Sequence, residues 1–169
     1  MVVGVELTST GWIPSYAVLT GVSTTEEATK YGSFYYIVVI ICRFVSPNLS
    51  WTNTKKLKIL LYSGFVSSLI CLWFQKNQDY GSAALFGAIL YGFGNSGLYP
   101  LILVVSTEYG IALKPEQTAN MVVATVFSSG LLTGLTGILM HSNIELLFYS
   151  LMIMSAILLV IMLMIFKLL

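Results

Sequence analysis

Six apolar segments, each close to the length that crosses a lipid bilayer, occupy almost all of this 169-residue chain. A membrane-spanning helix needs about 20 mostly apolar residues, because the hydrocarbon core of a bilayer is about 30 Å thick. The breaks between the segments are short and polar. The predicted spans are residues 2–21, 28–45, 57–74, 82–105, 118–140 and 145–168. The sequence therefore predicts an all-α membrane protein with a single domain, residues 1–169, built as a bundle of six transmembrane helices.

Charge and composition narrow the class of protein further. Charged residues make up 9% of the chain, whereas a soluble domain carries about 25%. The net charge is +1, and no basic cluster with interleaved aromatics indicates a nucleic-acid partner. The single histidine, His141, lies in a turn, away from any cluster of metal-ligand residues. We therefore expect the lipid bilayer as the environment, and we expect no metal, no cofactor and no enzymatic activity.

Lysines and arginine indicate how the chain crosses the membrane. Lys55 and Lys56 lie between the second and third spans, flanked by Arg43 and Lys58. Cytoplasmic loops are enriched in Lys and Arg, which places this loop in the cytoplasm. Six crossings then put both termini on the cytoplasmic side, and Lys167 at the end of the last span fits that orientation.

A polar stripe runs along the first span. At 100° per residue, its members fall within one arc of about 120°: Glu6, Ser9, Thr10, Tyr16 and Thr20. Such a stripe either bonds to neighbouring helices or lines a solute pathway. Glu6 favours the pathway, because a carboxylate in hydrocarbon costs roughly 3 kcal/mol or more. Gly11 and Pro14 predict a bend or break, as in helices from which transporters build binding sites.

Small residues recur in the fourth and fifth spans. In the fourth, a ridge every four positions predicts close approach of another helix: Ala84, Ala88, Gly92 and Ser96. A neighbouring row carries polar groups that either pack or line a pathway: Tyr91, Asn95 and Tyr99. The fifth span has two similar patterns, Gly130/Gly134 and Ser129/Thr133/Gly137.

The sixth span consists almost entirely of large apolar residues, which predicts a helix that faces lipid at positions such as Leu158. On these patterns, spans one, two, four and five are predicted to be interior, span six peripheral and span three intermediate.

Several segments resemble the C-terminal half of a major facilitator superfamily transporter, and within that superfamily the fucose-permease and sodium-dependent glucose transporter-like branch. In chain order they are Gly4-Val5-Glu6, Gly11-Trp12-Ile13, Tyr16-Ala17, Cys42-Arg43, Gly92-Phe93-Gly94, Tyr99-Pro100, Glu108-Tyr109 and residues 118–139. The resemblance covers nearly the whole chain. In the branch a glycine usually precedes the arginine, where this chain has Cys42.

The resemblance implies a secondary active transporter that moves a sugar or similar small polar solute by alternating access, with a coupling proton or sodium ion. It also implies a missing N-terminal six-helix half or a pairing chain. The pathway residues predicted on this hypothesis are Glu6, Ser9, Thr10, Tyr16, Tyr36, Tyr91, Asn95 and Tyr99. Arg43 and Glu108 are implied at the cytoplasmic loops that change conformation. The alternative is a non-transporting integral membrane subunit, whose polar stripes hold partner helices.

Overall fold

The structure, a computed structural model, describes residues 2–110 and 114–168. The described residues form seven α-helices and no strand: α1 (Val2–Leu19), α2 (Thr25–Asn48), α3 (Asn53–Lys76), α4 (Tyr80–Asn95), α5 (Leu98–Glu108), α6 (Pro115–Ser142) and α7 (Leu146–Leu168). The predicted all-α class is confirmed.

Five helical segments are long and apolar enough to cross a membrane, and α4 and α5 together form one of them. The remaining predicted span, residues 2–21, corresponds to α1, whose 18 residues reach roughly 27 Å at 1.5 Å per residue. Its polar side chains lower its mean hydropathy below that of the other five. The described chain thus has the helices of an integral membrane protein.

Local chemistry explains where the helices begin. Thr24 and Glu27 form a reciprocal cap at the start of α2, with the Glu27 amide 3.3 Å from Thr24 Oγ1 and the Thr24 amide 3.4 Å from Glu27 Oε2. Asp79 caps α4 by accepting a 3.0 Å bond from the Ser82 amide. Hydrogen bonds from Ser82 to the charged carboxylate lower the pKa of Asp79 below its usual value.

The fourth span is broken, whereas the first is not. The backbone leaves the helix between Asn95 and Leu98, because Pro100 has no N–H to give to the Ser96 carbonyl four residues earlier. The predicted span over 82–105 is confirmed as a membrane-length segment, but it consists of two helices rather than one. In the first span no break occurs, since α1 continues through Pro14, while the bend predicted at Gly11 and Pro14 stays a prediction. A proline removes one hydrogen bond but leaves a helical backbone possible where packing holds it.

The helices pack around α1 and α4. Helix α1 contacts α6, α4 and α2, while α3 contacts α4, α7 and α5. One core cluster surrounds three fully buried aromatic side chains, Tyr16, Tyr91 and Phe148. A second cluster joins α3, α5 and α7 and contains Leu57, Leu98 and Leu158.

The long helices differ in how much of their surface is buried within the described chain, and one prediction about the last helix was wrong. In α7, 44% of the membrane-length window is buried within the chain, against 17% in α2 and 11% in α6. Leu158 is only 7% exposed, so the prediction that it faces lipid was wrong. The reason is physical: lipid tails and a bundle interior are equally apolar, so a uniformly apolar helix can bury one face in each.

Glycines mark the closest helix contacts, and they test the small-residue patterns. A Cβ on Gly92 would lie 2.8 Å from the Tyr35 carbonyl oxygen, which confirms the predicted close approach to α4. Gly137 lies against the Trp12 ring where α6 packs on α1. Gly130 and Gly134 have open space instead. Of the two patterns in the fifth span, only the one that contains Gly137 packs closely within the chain.

Candidate functional site

Three buried polar side chains from α1, α2 and α4 meet near the middle of the bundle. The Asn95 amide donates to the Tyr35 hydroxyl at 3.2 Å and to Ser9 Oγ at 3.4 Å. The Ser9 hydroxyl itself donates to the Glu6 carbonyl at 2.9 Å. Buried polar groups need such partners, because leaving one unsatisfied in an apolar interior is costly. We call Ser9, Tyr35 and Asn95 the central network.

An ion pair lies closer to the helix ends. Glu6 Oε1 and Arg43 Nη2 are 4.0 Å apart, and Arg43 Nε donates to the Ser96 carbonyl at 2.6 Å. This is the carbonyl that Pro100 leaves without a helical partner. Arg43 therefore connects α1 and α2 to the break between α4 and α5. Its positive charge also offsets much of the cost of placing Glu6 in a membrane helix.

The ion pair and the central network lie at different depths along the bundle. Glu6 is four residues after the start of α1, which is roughly 6 Å at 1.5 Å per residue. Arg43 is five residues before the end of α2. The pair therefore lies near the end of the bundle where α3 begins with Lys55, Lys56 and Lys58, which we call the lysine end. The central network lies about one helical turn deeper.

Tyr35, rather than Tyr36, belongs to the site. Tyr35 is 1% exposed and bonded to Asn95, whereas the Tyr36 side chain is 52% exposed. Tyr36 therefore lies outside the central network, and its predicted role in a solute pathway stays a prediction. Consecutive helix residues point about 100° apart, so only the packing of α2 decides which of two adjacent tyrosines faces inward. Ala28 and Val39 share the buried face of α2 with Tyr35. Their spacing in the sequence could have indicated that Tyr35, and not Tyr36, faces inward.

Other predicted pathway residues lie elsewhere. The Tyr91 hydroxyl bonds to Ser68 Oγ of α3 at 2.6 Å. The Tyr16 ring packs edge-on against Phe148, with ring centroids 5.0 Å apart. Its buried hydroxyl has no hydrogen-bond partner among the described residues. Tyr99 is half-buried on α5. The predicted tyrosines thus contribute to packing rather than to the central network.

The remaining predicted residues make local bonds. Thr10 Oγ1 donates to the Glu6 carbonyl at 3.0 Å within α1. Glu108 Oε1 accepts a 2.6 Å bond from Asn53 Nδ2, which joins the end of α5 to the start of α3. Both Arg43 and Glu108 lie in helices rather than in loops, because α2 continues to Asn48 and α5 ends at Glu108.

Among residues 2–110 and 114–168, no group of three or more His, Cys, Asp or Glu side chains could hold a metal ion. A cavity of about 260 Å³ adjoins the ion pair and is lined in part by Arg43, Ser96 and Pro100. The arrangement can therefore form hydrogen bonds through one amide and two hydroxyls, next to the Glu6–Arg43 ion pair.

Comparison with known proteins found no matching family, no matching curated protein and no matching solved structure. The fold and site define a class only: an apolar membrane-type helical bundle with a buried polar network and an ion pair beside a broken helix.

Removing the Tyr35 hydroxyl is expected to destabilise the bundle. In Tyr35→Phe, the Asn95 amide loses its bond at 3.2 Å, and such a loss costs about 1 kcal/mol. The matched control is Tyr36→Phe, the same change one residue later on an exposed side chain. Thermal unfolding in detergent should show a lower Tm for Tyr35→Phe only. Equal Tm values for the two variants would show that the central network does not stabilise the fold.

Proposed function

We propose that this chain is one half of a secondary active transporter that moves a sugar or similar small polar solute by alternating access. The observation that carries the proposal is the Glu6–Arg43 pair beside the α4–α5 break. The Arg43 side chain is 54% exposed on a membrane helix. An arginine near a helix end can reach the headgroup level, but Arg43 is held against the bundle by Glu6 and the Ser96 carbonyl, which favours a wet cavity or a second bundle in front of it.

The exposed helices support the need for a second half. Helices α2 and α6 flank α1 on two sides and are the least buried of the five long apolar segments. A second bundle placed against α2 and α6 would enclose Arg43 and the outward face of α1. The partner would be a six-helix half elsewhere in the same polypeptide or in a pairing chain.

In the proposed mechanism, solute hydroxyls replace the bonds within the central network. Asn95 both donates and accepts, and the hydroxyls of Tyr35 and Ser9 do the same. Glu6 carries the coupling proton or contacts the coupling sodium ion. Either event weakens its attraction to Arg43, and Arg43 in turn holds the Ser96 carbonyl at the helix break. Binding of the coupling ion at Glu6 and the conformation of the broken fourth span would therefore be linked through Arg43.

A non-transporting membrane subunit is the second candidate, and one observation favours it. The central network and the ion pair are satisfied within the chain, since Asn95 already has two partners and Glu6 has Arg43. Polar groups that hold helices together need no solute.

Solute uptake separates the two candidates. The chain would be purified in the assembly in which it occurs in its own membrane and reconstituted into proteoliposomes. A panel of radiolabelled monosaccharides and polyols would then be offered with and without proton and sodium gradients. Gradient-dependent accumulation of any of them supports the transporter. No uptake from a folded, correctly assembled sample favours the subunit.

The orientation proposed with this function has both termini in the cytoplasm, and Asn48 tests it. Asn48-Leu49-Ser50 is a glycosylation sequon that this orientation places on the cytoplasmic side, opposite to the glycosylating enzyme. We expect no glycan on Asn48 when the chain is expressed in a eukaryotic membrane. A mass shift that is removed by a glycosidase and is absent in Asn48→Gln would show the inverted orientation.

A further inference from the structure

A second cavity, of about 200 Å³, lies between α2, α3 and α4 at the lysine end. Aliphatic and aromatic side chains form most of its wall: Ile41, Val45, Leu49, Trp51, Ile59 and Phe93. Two polar groups in its wall are already bonded within the protein. The Ser46 carbonyl accepts a 2.7 Å bond from Lys56 Nζ, and the Ser96 hydroxyl donates to the Phe93 carbonyl at 2.8 Å. The interior of this cavity therefore suits hydrocarbon better than a polar solute.

The cavity is open towards the lipid. Ile41, Val45 and Phe93 line it and are themselves exposed on the outer surface of the bundle. From Leu49 to Ile41 the wall covers eight residues of α2 and the turn that follows it, roughly 12 Å along the helix axis. One leaflet contributes about 15 Å of hydrocarbon. The depth of the cavity thus matches much of an acyl chain that enters from the side.

Positive charge lies at the mouth of the same cavity. The Lys56 ammonium carries three donors and gives one of them to Ser46, which leaves two for a ligand. Lys55 Nζ lies 5.0 Å from the centroid of the Trp51 ring, so a second cation sits at the mouth. Tryptophan and lysine together are typical of the level at which lipid headgroups lie.

We propose that the lysine end holds one anionic phospholipid, with its phosphate on Lys56 and an acyl chain in the cavity between α2, α3 and α4. Charge complementarity selects the headgroup, and the apolar, laterally open wall selects the chain. The site does not rest on the transport function, since it uses neither the central network nor the Glu6–Arg43 pair.

Lys58 supplies a matched control. It is two residues further along α3, but its ammonium lies 5.2 Å from the Phe166 ring centroid on the α7 side. Lys56→Gln and Lys58→Gln remove the same charge from the same helix end. Only Lys56 lines the cavity. If a specific site exists, Lys56→Gln should weaken the binding of anionic lipid more than Lys58→Gln does. If the attraction is only a diffuse effect of surface charge, the two variants should weaken it equally.

The experiment measures which lipid contacts Trp51. The whole chain is placed in phosphatidylcholine vesicles that contain a fixed fraction of either chain-brominated phosphatidylglycerol or chain-brominated phosphatidylcholine. Bromine quenches a tryptophan that it touches. The Trp51 signal is the difference between the native protein and Trp51→Phe, because Trp12 and Trp73 also fluoresce. Symmetrical vesicles make the result independent of orientation.

We expect brominated phosphatidylglycerol to quench Trp51 more strongly than brominated phosphatidylcholine. Lys56→Gln should lower this preference about five-fold, the factor for one lysine near an anionic membrane surface, while Lys58→Gln and Lys56→Arg retain it. Val45→Phe, which fills the cavity and keeps the lysines, should also lower the quenching. Melting temperatures in lipid-free detergent identify any variant that fails to fold. If Lys56→Gln fails, the quenching preferences of Lys56→Arg and Val45→Phe are compared instead. Equal quenching by the two lipids, equal losses in the two glutamine variants, or undiminished quenching in Val45→Phe would each overturn the proposal.

Discussion

Gly92→Leu is expected to prevent α2 and α4 from packing, and it should be the most destabilising of the substitutions considered. A Cβ at Gly92 would lie 2.8 Å from the Tyr35 carbonyl oxygen and 3.3 Å from Val38 Cβ. Both are parts of a neighbouring helix that cannot rotate away, unlike the end of a flexible side chain. Overpacking of this kind costs about 1–3 kcal/mol and occasionally more, and contact with the backbone of α2 places Gly92→Leu at the upper end. Separation of α2 from α4 would also disrupt the central network, because Tyr35 and Asn95 lie on these two helices.

The measurement is thermal unfolding in detergent, together with the yield of monodisperse protein. Gly130→Leu is the matched control, because the same side chain is added where no heavy atom lies within 4 Å. Leu158→Ala is unsuitable as a mild comparison, since Leu158 is buried in the cluster of α3, α5 and α7. If Gly92→Leu melted at the same temperature as Gly130→Leu, the close contact between α2 and α4 would be absent from the folded protein.

Glu6→Gln is expected to reduce solute uptake at least about ten-fold and to flatten its dependence on pH. Glutamine keeps the size of the side chain and its hydrogen bonding, but it has no charge with which to attract Arg43 and no proton to exchange. Membrane abundance should stay normal, since the Glu6 side chain is partly exposed and a glutamine of the same size removes no packing contact.

The measurement is radiolabelled sugar uptake into proteoliposomes over a range of pH that spans neutrality. Glu6→Asp should retain more uptake than Glu6→Gln if the charge of the side chain matters more than its length. Glu116→Gln removes a carboxylate from the exposed first turn of α6 and serves as the control. Arg43→Gln adds an independent check, because it leaves both Glu6 and the Ser96 carbonyl without their partner. Native uptake and a native pH profile in Glu6→Gln would reduce Glu6 to a structural residue.

The positions of the helices follow from the sequence because they depend on local chemistry. Five of the six predicted spans match long helical segments, and the reciprocal cap at Thr24 and Glu27 starts α2 as its residues predict. The break in the fourth span was also within reach of local reasoning. Pro100 removes the donor for the carbonyl of Ser96, but a break was considered only at Gly11 and Pro14, where α1 is continuous.

The site was predicted only in part. Ser9 and Asn95, both predicted from their polar side chains on apolar helices, do meet. Tyr36 was chosen where Tyr35 is bonded, and Arg43 was assigned to a loop where it pairs with Glu6. Glu6 and Arg43 are 37 positions apart, and their pairing depends on the register between two antiparallel helices. No local pattern reports that register.

The sequence by itself determined that this chain is a bundle of membrane-length helices, where those helices begin, and that polar groups must find partners inside it. These are consequences of apolar length, caps and the cost of unpaired polar atoms, all of which act within a few residues. Only the tertiary structure decided that α7 is buried while α2 and α6 are exposed, that Tyr35 faces Asn95, and that Arg43 joins Glu6 to the broken fourth span. In a membrane the interior and the surroundings are equally apolar, so side-chain packing between helices, rather than hydrophobicity, sets which face turns inward.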